Sequence, residues 1–125
     1  LISLKILRSS NNYLNFLHIN FLNIETNSKK VELLNLNFNS LKIIKNDTFK
    51  SLNNLNSLSL EFNQIQILEA DSFKELFNLE KLNLNNNQIE RLESGLFKDL
   101  KSLNELNLDY NNIEFLENNT FISLN

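Results

Sequence analysis

The stretch Leu79-Glu80-Lys81-Leu82-Asn83-Leu84-Asn85-Asn86-Asn87-Gln88-Ile89 decides the fold, because it returns along the chain with the same residue types in the same places. Leu55 and Leu103 stand 24 residues before and after Leu79, and Val31 extends the series backwards. With Leu79 as position 1, position 4 is Leu34, Leu58, Leu82 and Leu106, and position 6 is Leu36, Leu60, Leu84 and Leu108. Position 9 is Asn39, Asn63, Asn87 and Asn111. Position 11 is Leu41, Ile65, Ile89 and Ile113, and position 14 is Ile44, Leu68, Leu92 and Leu116. Position 19 is always phenylalanine (Phe49, Phe73, Phe97, Phe121) and position 22 always leucine (Leu52, Leu76, Leu100, Leu124). All 28 apolar places are filled, and at 42% hydrophobic composition chance would achieve that with a probability on the order of 10⁻¹¹, so the period is a property of the fold.

The spacing dictates local structure. Positions 4 and 6 alternate with polar residues, as in Leu58-Ser59-Leu60, which is the period of a short strand with one face inward. Units of equal length joined head to tail place these strands in parallel, about 4.8 Å apart. Positions 11 to 24 make the return, too short for a long helix with two loops, so irregular or 3₁₀ turns are expected there. Strands pack more closely than the bulkier return, so the stack curves with its sheet on the concave side. Asn39, Asn63, Asn87 and Asn111 follow the strand, where the chain turns and main-chain groups lose their ladder partners. An amide donates and accepts at once, so this column can bridge successive turns. Phe49, Phe73, Phe97 and Phe121 are expected to stack as a second column under the convex side. Position 17 reads Asp47, Asp71, Gly95 and Asn119, residues that tolerate a left-handed backbone or close an Asx turn, so a tight turn is expected in every unit.

The chain thus divides into an irregular unit over 1–30, regular units over 31–54, 55–78 and 79–102, and a shorter unit over 103–125. With Leu1 at position 1, Leu4, Ile6, Leu14, Ile19 and Leu22 fill apolar places. In that register Lys5, Leu7 and Arg8 take positions 5, 7 and 8, Ser9 stands where asparagine belongs, and six extra residues fall in the polar stretch 25–30, read as a loop.

Composition excludes several classes. The net charge of −3 comes without any Lys/Arg cluster, which argues against nucleic acid or an anionic membrane as the main partner. No apolar run approaches 18 residues, so this stretch inserts no transmembrane helix. With no Cys there is neither a disulfide framework nor a thiolate chemistry. Leucine and asparagine, 27 and 26 residues, exceed 40% of the 125-residue chain, a composition unlike that of an ordinary enzyme domain. His18 is the sole imidazole and sits among Leu17, Ile19 and Phe21; no phosphate loop, metal-ligand cluster or nucleophile motif occurs. The chain reads as non-enzymatic, without cofactor or metal.

The pattern LxxLxLxxNxIxxL followed by Phe-xx-Leu closely resembles the leucine-rich repeat, and the 24-residue length with phenylalanine at position 19 resembles its "typical" subclass. That subclass is found mainly in extracellular animal proteins: Toll-like receptors, Slit-like guidance proteins, and Nogo-receptor-like and small proteoglycan ectodomains. The resemblance is strong over 31–125 and weaker over 1–30. It implies an α/β repeat solenoid, a right-handed horseshoe with a parallel sheet on the concave face and irregular or 3₁₀ segments on the convex face. It also implies protein binding through the concave sheet and its rims, in an extracellular or cell-surface ectodomain. Two features depart from it: such ectodomains usually carry Cys-rich caps, and their position 15 is often proline, here Lys45, Glu69, Glu93 and Glu117.

On the concave face the outward positions are 3, 5, 7 and 8. Asn35, Ser59, Asn83 and Asn107 at position 5, Glu61 and Asp109 at position 7, and Phe38, Phe62, Asn86 and Tyr110 at position 8 form the candidate partner-binding set. Aromatic anchors bury a large area with few rotors. The competing reading is that position 8 carries an aromatic or asparagine merely to shield the strand end, since scattered exposed apolar residues need no function. Two glycosylation sequons, Asn46-Asp47-Thr48 and Asn118-Asn119-Thr120, lie at position 16 of their units. About three would arise by chance in so Asn-rich a chain, so they agree with secretion without arguing for it. The acidic column Glu69, Glu93 and Glu117 and the lysine column at 50, 74 and 98 read as solvated faces, since hard cations want six or more converging oxygens.

The leading functional reading is a protein-recognition module of an extracellular receptor, adhesion or matrix protein. The alternatives are an intracellular scaffold of the same repeats, which the lack of Cys favours, or the recognition arm of a larger enzyme. The chain reads as a piece of something longer, with two apolar stack ends, and is expected to associate or melt easily on its own. Sedimentation and thermal unfolding check this; a monomer melting near about 90 °C contradicts it.

Overall fold

A strand that points Leu58 and Leu60 inward leaves its main-chain donors and acceptors to be paired sideways, and each turn of this chain supplies them to the next. The computed structural model describes residues 31–124 and the backbone of residues 6–8. The main sheet holds β1 (Ile6–Arg8), β2 (Leu33–Asn35), β4 (Ser57–Ser59), β6 (Lys81–Asn83) and β8 (Glu105–Asn107), all parallel in the order β1-β2-β4-β6-β8. Leu34, Leu58, Leu82 and Leu106 stand level across it. Where the chain leaves the sheet and turns back, β3 (Ile43–Ile44) pairs with β5 (Ile67–Leu68), and β7 (Arg91–Leu92) with β9 (Phe115–Leu116). The rest of each return is a run of tight turns closed by bonds such as Lys50 N–H to Asp47 C=O and Leu52 N–H to Phe49 C=O. Neither α- nor 3₁₀-helix occurs among the described residues, so the solenoid is built of strands and turns.

The pairing of β1 corrects the register of the first unit. Leu7 lies opposite Leu34 and Arg8 opposite Asn35, so position 4 is Leu7, and Lys5 and Arg8 fall at positions 2 and 5. Counted from there, the unit begins at Leu4 and runs three residues long rather than six. Leu1, Leu4 and Leu7 are spaced by three, as are positions 1 and 4, so the leucines alone fit either register. The loop expected at 25–30 and His18 lie outside the described residues.

Positions 1, 4, 6, 11, 14, 19 and 22 of the three regular units are all buried, forming one core from Val31 to Leu103. In the last unit the same places are open on one side: Leu116 is 59% exposed and Phe121 39%. Phe49, Phe73, Phe97 and Phe121 stack with centroids 6.2, 6.1 and 5.8 Å apart and planes within 17° of parallel, as expected of a second column. The position-17 turn forms in each of the four units from residue 31 onward, left-handed at Asp47 (φ 58°), Gly95 (φ 74°) and Asn119 (φ 67°). In the 55–78 unit the left-handed residue is instead Glu75 (φ 64°), whose N–H donates to the Asp99 carboxylate of the next turn (2.9 Å).

In the asparagine column Asn63, Asn87 and Asn111 each make two bonds to the preceding turn and others to their own. Asn63 Oδ1 accepts Leu41 N–H of the preceding turn (3.1 Å), while its Nδ2 donates to Leu36 C=O of that turn and to its own Leu60 C=O, both at 3.0 Å. Asn87 does the same with Ile65, Leu60 and Leu84, and Asn111 with Ile89, Leu84 and Leu108. Replacing Asn63 by alanine strands the buried Leu41 N–H, because both carbonyls keep a second asparagine donor. Chemical denaturation of Asn63→Ala should therefore show a loss of about 2–3 kcal/mol. Phe73→Ala, which opens a cavity between two stacked rings, should lose about 3–5 kcal/mol in the same measurement.

Candidate functional site: the sheet face

The outward side chains of the main sheet serve two purposes. Asn35, Asn83 and Asn107 at position 5 each turn their Oδ1 back to accept the N–H two residues on, from Asn37 (3.0 Å), Asn85 (3.1 Å) and Asp109 (2.9 Å). Ser59 is too short for this, and Asn37 of the preceding turn substitutes: its Oδ1 accepts Glu61 N–H (2.9 Å) and the Ser59 hydroxyl (2.7 Å). Asn37 and Asn83 also reach Glu61 Oε2, each at 3.4 Å. The position-5 residues therefore help hold the strand ends as well as facing outward.

Position 8 behaves differently. Phe38, Phe62, Asn86 and Tyr110 all lie in the left-handed region, with φ between 52° and 55°. The geometry has a local cause. Position-8 N–H groups still donate across the sheet, Phe38 to Glu61 C=O (3.0 Å) and Asn86 to Asp109 C=O (3.0 Å). The next residue must already turn its amide into the stack, so the chain reverses hand within one residue. Asparagine tolerates that conformation, whereas phenylalanine and tyrosine are strained in it, at a cost of roughly 1–2 kcal/mol. Yet Phe38, Phe62 and Tyr110 occupy it and are 51%, 42% and 78% exposed. The rings of Phe38 and Phe62 stack at 4.7 Å and 11°.

At position 3, Leu33 is 40% exposed, and Lys81 and Glu105 form an ion pair at 2.7 Å. The hydrogen bond to Glu105, together with its charge, holds the Lys81 ammonium protonated to higher pH than usual. The face is thus apolar at Leu33, Phe38 and Phe62, and polar around Glu61, Lys81, Glu105, Asp109 and Tyr110.

Several of the remaining candidates hold main-chain groups of a neighbouring turn. Glu69 Oε2 accepts Asn46 N–H (2.7 Å) and Glu117 Oε2 accepts Ser94 N–H (3.1 Å), so two members of the acidic column fasten their turns to the one before. No group of His, Cys, Asp and Glu able to hold a metal ion occurs among the described residues. Within the lysine column, Lys98 crosses to Asp71 at 2.8 Å, and that bond holds the Asp71 carboxyl below the usual carboxylate range. Asn46 and Asn118 are exposed, although Asn46 Oδ1 accepts Asp71 N–H (2.9 Å). The sequon threonines are buried: the Thr48 hydroxyl donates to Lys45 C=O (2.7 Å), and the Thr120 hydroxyl to Glu117 C=O (2.7 Å) and Leu92 C=O (3.2 Å).

One surface row escaped the sequence reading. Ile67 and Phe115 at position 13 are about half exposed, and the Arg91 guanidinium lies 5.3 Å from the centre of the Phe115 ring. The signal was present in the adjacent apolar pairs Ile67-Leu68 and Phe115-Leu116, since neighbours in an extended segment point to opposite sides.

Comparison with known proteins agrees with this geometry. No curated protein matches the chain. The family model described as "Leucine rich repeat" matches residues 29–89 and again 77–125, the span over which strand, asparagine column and phenylalanine column recur. The chain therefore belongs to the leucine-rich-repeat family, whose solenoids are protein-interaction modules.

Proposed function

We propose that this chain is the recognition surface of an extracellular or cell-surface protein and binds a protein partner through its sheet face, with Phe38, Phe62 and Tyr110 as anchors. The observation that carries this reading is the backbone conformation at position 8. Asn86 shows which residue type suits the left-handed backbone, so aromatics in the same place are held against local preference with their rings in solvent. Strain of this kind is a common mark of sites kept for binding. Shielding of the strand end does not require it, because Asn86 closes its strand equally well.

Glu61, Lys81 and Glu105 supply polar groups on the same sheet face as the stacked rings, a mixture of apolar and polar groups usual in a protein interface. The resemblance to the typical 24-residue subclass supports the extracellular setting, and the exposed sequon asparagines are consistent with it. An intracellular scaffold is the second reading, favoured by the absence of Cys.

The experiment screens immobilised chain against a panel of secreted and surface ectodomains, then compares Phe38→Asn/Phe62→Asn with the parent for each hit. The double variant should unfold at higher denaturant, by about 1–2 kcal/mol for each strain relieved, while its affinity falls about tenfold or more. A partner that binds both proteins equally sinks the sheet-face reading. For the compartment, peptide mass spectrometry of protein from its native source should find glycan on Asn46 or Asn118; unmodified asparagine at both would favour the intracellular reading.

A further inference from the structure

Among the described residues the flank ladder is interrupted at one joint. Where residues 66–69 meet 42–44, the N–H groups of Gln66 and Ile67 donate to Lys42 C=O (2.9 and 3.4 Å), and Glu69 N–H donates to Ile44 C=O (3.0 Å). The same three bonds recur where 114–117 meet 90–92, at 3.0, 3.2 and 3.1 Å. Among the described residues, no main-chain hydrogen bond joins 66–70 to 90–94. Two further fastenings are missing at the same joint. Leu96 stands where Thr120 stands one turn later, so no hydroxyl reaches Leu68 C=O as Thr120 reaches Leu92 C=O. The Glu93 carboxylate takes no N–H from Ala70, although Glu69 and Glu117 each hold the corresponding N–H of their preceding turn.

What remains is a cleft of about 250 Å³ lined by Gln66, Ile67, Leu68, Arg91 and Glu93. Two main-chain carbonyls, of Gln66 and Leu68, and the Glu93 carboxylate have no hydrogen-bond donor from the next or the preceding turn. Its surroundings are acidic on balance: Glu69, Glu90, Glu93, Glu114 and Glu117 stand on this flank against Arg91 and, one turn earlier, Lys42 and Lys45. The Arg91 guanidinium is engaged over Phe115. Ile67, half exposed, offers an apolar wall.

We infer that this seam is a docking site for a short basic segment of a partner protein, with one lysine or arginine side chain entering the cleft. The methylene stem lies against Ile67, and the cationic head donates to the two free carbonyls and to Glu93; the rest of the segment follows the acidic flank. This surface is separate from the sheet face and stands or falls independently of it.

The test titrates the chain with a short synthetic peptide of alternating arginine and serine, followed by fluorescence polarisation and by amide chemical shifts. Shifts concentrated at 66–70 and 90–94 are expected. Glu93→Lys should weaken binding about tenfold, the loss expected on reversing one close charge. Leu96→Thr, which supplies the missing hydroxyl to Leu68 C=O and closes the seam, should also weaken it, while Phe62→Ala on the sheet face should leave it unchanged. Absence of binding, shifts spread evenly along the flank, or equal affinity for Glu93→Lys and the parent would each overturn the proposal.

Discussion

Everything in this molecule depends on one hydrogen-bonding demand. A chain that leaves a sheet after three residues and turns inward carries N–H and C=O groups that the sheet no longer serves, and burying them unpaired would outweigh much of what leucine packing contributes. One asparagine amide per turn meets that demand by accepting from the turn before and donating to both. Aspartate lacks the donors and glutamine is a methylene too long for the same reach. Once that amide is fixed, the residue before it must adopt the left-handed conformation, and the left-handed conformation in turn aims position 8 outward. The candidate binding row is thus a by-product of how the backbone is satisfied.

Residue type alone does not announce role here. Phenylalanine at position 19 is buried against its like, whereas at position 8 it faces solvent on strained backbone. Glutamate at position 15 looks like a solvated column, yet Glu69 and Glu117 hold main-chain N–H groups of the neighbouring turn. Asparagine at position 5 faces outward and still spends its carbonyl oxygen on its own strand end.

The period, the inward positions and the two stacked columns were legible because each follows from a spacing repeated over four units. The strand register of the first unit was not, since leucines at intervals of three satisfy positions 1 and 4 in two ways and only pairing with Leu34 decides between them. Counted from that pairing, Asn12 and Leu14 fall on the asparagine and isoleucine positions, a longer-range match than the leucines offered. The sheet face was legible as a set of positions, but its strain was not, because composition at position 8 carries no sign of φ. The flank row stayed hidden for another reason: its members vary in type, Ile43, Ile67, Arg91 and Phe115, so no letter common to all units marks them.

The interrupted flank ladder also has a mechanical meaning. Among the described residues, the joints on either side of the interruption are stitched along three lines: the sheet, the asparagine column and the flank strands. The joint between residues 66–70 and 90–94 keeps the first two and lacks the third, so its resistance to bending away from the flank is lower while its resistance along the sheet is unchanged. A stack stitched in this way is not a uniform spring; among the described turns its compliance is greatest at this joint, and elastic deformation imposed on either side of it gathers there.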